Sequence, residues 1–446
     1  MKSLQAINKT LDYKEKIILL LLLIIAAIIR LFWVIVVENS LQSDFKTYYE
    51  IAVALYKGEN HFFIGYQGIG YPLFLSLIFR MVGYDSVILA KFINVIISTL
   101  TILFVFLTTY NWFKSKIFSF VITSILIILP NYIAYTNVLG TEVLFTFFFS
   151  IILFLQTIEI RWKWVLLGIF IGLAALTRPI FLAYPILVLI LSFLKKEKLK
   201  EALKPFLIVV IFMGFTILPW TIRNYIVLNA FIPVSYNGAY VLYINNNSQN
   251  THGGYMPIEN VEPTESLLRE LSELKIPYGQ IDVRASSAYQ KAAVNWIINN
   301  PKKFIELVIK RLKSTYFGGS WDMQQWSMDI FNQKLLDKVG WNIYQSIMKK
   351  FSYITNGLLY FLAITSIFFI LIQIIKLFKN KFDCRKNYCE IVIIFNIFFF
   401  SLIYFIYEGQ PRYNFPTLFL QVIMSMLLIR QIILLIKEKL KNMIIG

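Results

Sequence analysis

Apolar runs too long for a water-soluble fold to bury decide the class of this chain. From Ile17 to Val37 only Arg30 interrupts the apolar sequence, and a helix needs about 20 such residues to cross a bilayer. In hydrocarbon the backbone must satisfy its own hydrogen bonds, so each run reads as a helix. The pattern recurs at Ser86–Tyr110, Ile117–Tyr132, Gly140–Ile158, Trp164–Thr177, Ile180–Leu194, Pro205–Trp220, Phe351–Ile375, Glu390–Tyr407 and Phe415–Ile436. About ten transmembrane helices are expected, the short fifth and sixth being nearest the limit. Hydrophobic residues make up 58% of the chain and charged ones 15%, which places it among polytopic membrane proteins.

The first run follows Lys9, Lys14 and Lys16 as a signal sequence would. No small-residue cleavage site follows it, so a retained anchor is expected. Lysine and arginine then set the orientation, because short loops rich in them stay in the cytoplasm. They gather in the N-terminus, at Lys114 and Lys116, Arg161 and Lys163, Lys195 through Lys204, Lys376 through Lys386, and Lys437 through Lys441. With ten spans all of these fall on one side, and both termini are cytoplasmic. The other side receives Glu38–Asp85, Ile133–Leu139, the Arg178-Pro179 turn, Thr221–Lys350 and Glu408–Asn414. The net charge of +18 is thereby explained by topology and by affinity for anionic inner-leaflet lipid, without nucleic acid as a partner. Cys384 and Cys389 fall in or beside a cytoplasmic loop, where thiols stay reduced, and lack the second pair that a zinc site requires.

The layout is a transmembrane module over 1–220 with a first outer loop at 38–85, an extracytoplasmic segment over 221–350, and C-terminal transmembrane helices over 351–446. In the first loop, Tyr48, Ile51, Ala52 and Leu55 recur at helical spacing, as in an amphipathic helix lying in the interface. Asp44 opens this helix. It is either an N-cap or, with Ser43 capping instead, a carboxylate free for chemistry. Gly65, Gly68 and Gly70 lack the strand-and-helix context of a dinucleotide site; they suggest a flexible re-entrant loop closed by Gly70, Tyr71 and Pro72, before a short helix from Leu73 to Val82. His61 in that loop reads as a polar loop residue. Within 221–350, Phe231–Ser235 and Tyr240–Ile244 around Asn237-Gly238 suggest short strands. Helices are expected at Val283–Asn299 and Lys302–Tyr316, the second started by Pro301. The segment is thus a small mixed α/β unit on an otherwise all-α protein. Asn246 heads an Asn-x-Ser sequon.

Ionisable groups recur near the outer span ends: Lys91, Glu142, Arg178, Arg223 with Asn224, and Arg412 with Tyr413 after Glu408. Each alone is readily an interfacial anchor, whereas their shared side points to function. In this order the chain resembles the GT-C superfamily of integral membrane glycosyltransferases, in particular the family 39-like branch of protein O-mannosyltransferases and lipid A aminoarabinose transferases. The resemblance rests on Asp44 and Gly70-Tyr71-Pro72-Leu73 after the first span, Glu142 opening a span, Leu176-Thr177-Arg178-Pro179, Pro219-Trp220-Thr221-Ile222-Arg223-Asn224, Val234-Ser235, Asn245-Asn246, and Arg412-Tyr413 with Pro416. It implies a GT-C-like fold, a catalytic Asp at position 44, a polyprenyl-phosphate sugar donor, and an acceptor that is lipid, protein or cell-wall polymer. Phe45 stands where many relatives carry a second acid, and Tyr71-Pro72-Leu73 replaces the common Pro-Pro-Leu.

The chemistry this implies is displacement of a lipid phosphate from an anomeric carbon with inversion. Asp44 would be the general base. Lys91, Arg178, Arg223 and Arg412 are candidates for the phosphate, with Glu142, Asn224, Asn245 and Tyr413 beside the donor. No Asp-x-Asp motif marks a metal site on the outer side, and a divalent metal is left open. A transporter or flippase of lipid-linked sugar is the alternative, for which inverted repeats and helices broken at mid-membrane would be expected. The Ile-, Lys- and Asn-rich usage is compatible with an AT-rich bacterium, whose plasma membrane would then hold the protein.

Overall fold

The computed structural model describes residues 11–61, 63–195, 198–327, 340–379 and 387–445. Cys384 and Lys9 lie outside them; Cys389 is a half-buried free thiol. The chain begins with α1 (Tyr13–Val36), whose start is closed by a capping box between Asp12 and Glu15. An amphipathic pair follows, α2 (Ser43–Lys57) and α3 (Gly70–Val82), packed on one another. Next come α4 (Val87–Phe113), α5 (Lys116–Ile128) and the short α6 (Pro130–Ala134). The apolar helices α7 (Thr141–Thr157), α8 (Lys163–Thr177) and α9 (Tyr184–Lys195) lead to the long α10 (Leu199–Leu228).

Among the described residues six helices are long and apolar enough to cross a membrane, or seven if the bent pair over 116–137 is one span. This is a multi-pass membrane protein. The count of ten is not reached, because α7, α8 and the stretch Pro179–Lys195 are apolar but shorter. All three pack in the bundle, α7 against α4 and α8, and α8 against α10. Gly168 and Gly172 make the last contact close, since a Cβ on Gly168 would stand 2.7 Å from the Val209 carbonyl oxygen.

The bend between α5 and α6 is 59° and has a definite cause. Pro130 offers no N–H to the Leu126 carbonyl. Arg30, buried in α1, supplies donors instead, to Leu126 O at 3.1 Å and Ile127 O at 3.3 Å, and its Nε donates to Ser98. A charge placed this deep is thereby bonded on several sides.

Beyond α10 the chain forms α11 (Asn237–Asn245), α12 (Glu265–Glu273), α13 (Ser286–Asn299), α14 (Pro301–Phe317) and α15 (Trp321–Ser327). Pro301 starts α14 as expected. The mixed α/β expectation fails, for no strand occurs among the described residues. Asn237-Gly238 opens α11 rather than a hairpin. Leu242, Tyr243 and Ile244 are buried there with Tyr289 of α13, and this packing overrides their β-branched and aromatic local preference. Asn246 is buried, its amide bonded to Leu242 O and Ile406 O, so its sequon is not presented at the surface.

The last helices are α16 (Trp341–Phe378), α17 (Tyr388–Ile406) and α18 (Leu418–Ile445), the latter preceded by a 3-10 turn over Pro411–Thr417. Arg311 of α14 joins this part to α11. It donates to Phe405 O, Ile406 O, Asn245 O and Asn246 Oδ1 at 2.6 to 3.2 Å, satisfying carbonyls that two helix ends leave open.

Candidate functional site

At one end of the bundle four acids meet two arginines, brought from segments far apart in sequence. Asp44 lies in the first turn of α2, behind Ser43, whose φ of 52° is left-handed. Gln42 is the N-cap and no side chain caps the helix, so the cap reading of Asp44 is set aside. Its carboxylate instead accepts from Gln67 Nε2 at 3.1 Å and from Arg412 at 3.3 Å. About a third of it (34%) stays exposed, against 15% of Arg412, so Asp44 is the member of the pair open to an incoming group. The Arg412 guanidinium lies over the rings of Phe45 and Tyr413, and its Nε is buried without a partner.

Glu142, at the start of α7, pairs with Arg178 at 2.8 Å, and Arg178 also donates to Thr141 Oγ1. The second Glu142 oxygen is buried and unpartnered. Gly140 leaves room for it, since a Cβ there would stand 2.3 Å from that oxygen and 2.8 Å from the Phe45 ring. Arg178 lies over Phe145 and Tyr413. Tyr413 therefore stands between the two arginines, and its hydroxyl donates to Glu408. Asn245 and Gln410 also donate to Glu408. Burial raises the Glu408 carboxyl above its usual range, against the opposing influence of Tyr413 and Arg412.

Sequence reasoning missed three members. Asp322 of α15 is 1% exposed, accepts from Tyr135 Oη, and has one oxygen without a partner. Burial lifts its carboxyl to about 6, with Glu142 adding to the rise and Arg412 opposing it. Tyr48 faces Asp44, Glu142, Arg412 and Arg178, and burial holds its hydroxyl protonated well above the usual range. Gln67 is the third. An aspartate following a tryptophan in an irregular stretch gives no periodic signal, whereas Tyr48 fell within the amphipathic pattern and could have been picked from the i+4 spacing to Asp44.

The other expected residues have partners of their own. Lys91 donates to Asn39 O at 2.9 Å, tying α4 to the loop after α1. Arg223 donates to Asn224, which holds Ile232 O, and both abut Gly65. His61 lies 3.9 Å from Glu50. Gly70, Tyr71 and Pro72 form the first turn of α3 rather than closing a flexible loop. A Cβ on Gly70 would stand 2.6 Å from the Thr177 backbone nitrogen, and Tyr71 is fully buried and donates to Asn94. These residues fix α3 against the end of α8, one residue before Arg178.

Among the described residues no group of three or more His, Cys, Asp or Glu side chains is placed to hold a metal. The acids are interleaved with arginine and tyrosine, Asp44 pairing with Arg412 and Glu142 with Arg178.

Fold and site together define a multi-pass helical membrane protein with a half-open Asp–Arg pair at one end of its bundle. No family model and no curated protein matches the chain. Among solved structures it is similar to the Archaeoglobus fulgidus oligosaccharyltransferase, in a crystal structure tethered to an acceptor peptide containing the NVT sequon. Identity is 14%, the TM-score 0.48, and the match covers 92% of this chain and 49% of that one. The chain thus spans about half the length of that protein.

Proposed function

We propose that the protein is a glycosyltransferase that moves a sugar from a polyprenyl-phosphate donor to an acceptor hydroxyl at the extracytoplasmic face. The reading is carried by Asp44, a partly exposed carboxylate held 3.3 Å from Arg412 and surrounded by tyrosine and a second acid–arginine pair. The resemblance of the ordered motifs to GT-C enzymes supports it. Asp44 accepts the acceptor's proton as the hydroxyl oxygen attacks the anomeric carbon. The bond from that carbon to the phosphate oxygen breaks with inversion, and the electron pair leaves on the lipid phosphate. Arg412 and Arg178 take up the charge developing on that phosphate. Glu142 keeps Arg178 extended, and Tyr413 spaces the arginines. Sugar, acceptor class and donor lipid are open to the same assay.

The test is transfer from a radiolabelled panel of polyprenyl-phosphate sugars by the purified chain, wild type against Asp44→Asn. A positioned general base contributes roughly 10²- to 10⁴-fold. Asp44→Asn is therefore expected to lose at least about 100-fold in transfer while retaining donor binding. Equal transfer by both proteins would refute the assignment of Asp44. Movement of the lipid-linked sugar across proteoliposomes with no transfer would replace the enzyme by a transporter.

A further inference from the structure

At the opposite end of the bundle from Asp44, a cavity of about 110 Å³ opens between the end of α7, the start of α8, the end of α9 and the start of α17. That volume exceeds what a single water needs. Two lysines point into it. Lys163 is nearly buried, its side chain 4% exposed; its ammonium lies 3.1 Å from Glu159, donates to Gln156 O, and sits over the Trp164 ring at 4.9 Å. Lys195 stands half exposed at the mouth, 3.6 Å from the same Glu159 oxygen and over the Tyr388 ring at 5.6 Å. Two ammonium groups thus share one carboxylate that is itself largely solvated. In the wall, Gln156 donates to Tyr184 and through it reaches Asn396, leaving Gln156 Oε1 buried without a donor.

This set of groups has a chemical complement. The ammonium pair suits phosphate oxygens. Val188 and Leu191 make the inner wall apolar. From the mouth, Phe193, Ile190 and Ile186 run up the outer side of α9 at helical spacing, all exposed, as a surface for acyl chains would be. Basic pockets between transmembrane helices on the cytoplasmic side are suited to anionic lipid headgroups, and this end carries the basic loops.

We propose that the cavity is a binding site for an anionic glycerophospholipid. Lys163 and Lys195 take the phosphodiester oxygens, and the acyl chains lie along α9. The site is separate from the Asp44 cluster and does not depend on the reaction assigned there.

The experiment is native mass spectrometry of the purified full chain in detergent, titrated with dioleoyl phosphatidylglycerol or dioleoyl phosphatidylcholine. Wild type is expected to retain one phosphatidylglycerol with about tenfold or greater preference, and Lys195→Glu to weaken it by at least about fivefold. Lys195 is half exposed, so this variant should keep its melting temperature. Lys437→Glu makes the same change of net charge elsewhere and should bind as wild type does. Equal retention of the two lipids, or wild-type binding by Lys195→Glu, would overturn the site. Displacement of phosphatidylglycerol by millimolar glycerol 1-phosphate would overturn the lipid and leave a soluble phosphate ester as the occupant.

Discussion

Asp322 shows how the cluster stores a conflict at the scale of a single residue. Its carboxyl rises from 3.8 to about 6 because burial disfavours the charge more than Tyr135 favours it. Between those values the folded chain holds a proton that the unfolded chain has lost, so stability falls as pH rises through the window. The loss reaches about 3 kcal/mol once both states are ionised. Asp322→Asn keeps an oxygen for Tyr135 and removes the titration. Its melting temperature in detergent should therefore change less than that of wild type between pH 4 and 6, and should exceed it at pH 7.5. Parallel profiles would show that Asp322 is not the titrating group. Glu408 is raised in the same direction, which accounts for slope that persists in the variant. Asp322 and Glu408 are thus held by burial in tension, while Asp44 keeps its opening to solvent.

At the scale of elements, the approach of α3 to α8 positions both halves of the site. Gly68 and Gly70 lie against the backbone of Leu176 and Thr177, whose nearest backbone atoms would stand 2.6 to 2.8 Å from the added Cβ atoms. Neither neighbour can swing away as a flexible side chain would. Gly70→Ala should separate the helices at about 1–3 kcal/mol, lowering the melting temperature and the transfer rate together. Gly214→Ala in α10 meets nothing within 4 Å and should be neutral by both measures. A Gly70→Ala protein as stable as wild type would contradict the close approach. Gly68 and Gly70 were legible as a cluster but not in kind: the same glycines serve a flexible loop or a tight contact, and only the partner backbone distinguishes the two.

For the whole molecule, several of the described basic residues lie together at one end of the bundle. Glu15 pairs with Lys116, Lys195 lies over Tyr388, and Arg430 lies over Phe118, gathering the basic segments at one end. The Asp44 cluster and the Asn39, Asn137 and Trp326 contacts occupy the other. With the native cysteines replaced, Ser272→Cys should react with a membrane-impermeant maleimide in intact cells, and Lys441→Cys only after permeabilisation. Labelling of both from the same side would reject the orientation.

The sequence by itself determined that this chain is a multi-pass helical membrane protein, and it singled out Asp44, Glu142, Arg178 and Arg412, which the fold brings into two ion pairs. Those conclusions follow from local quantities: apolar run length, the placement of Lys and Arg, and the order of motifs. Tertiary structure alone decided that Asp44 answers to Arg412 across most of the chain, that α7 and α8 are embedded rather than long, and that α11 is a helix. It also brought in Asp322, Tyr48 and Arg311, whose importance comes from what buries them. Charge pairing at a distance and helix choice under packing depend on partners that one stretch of sequence does not contain.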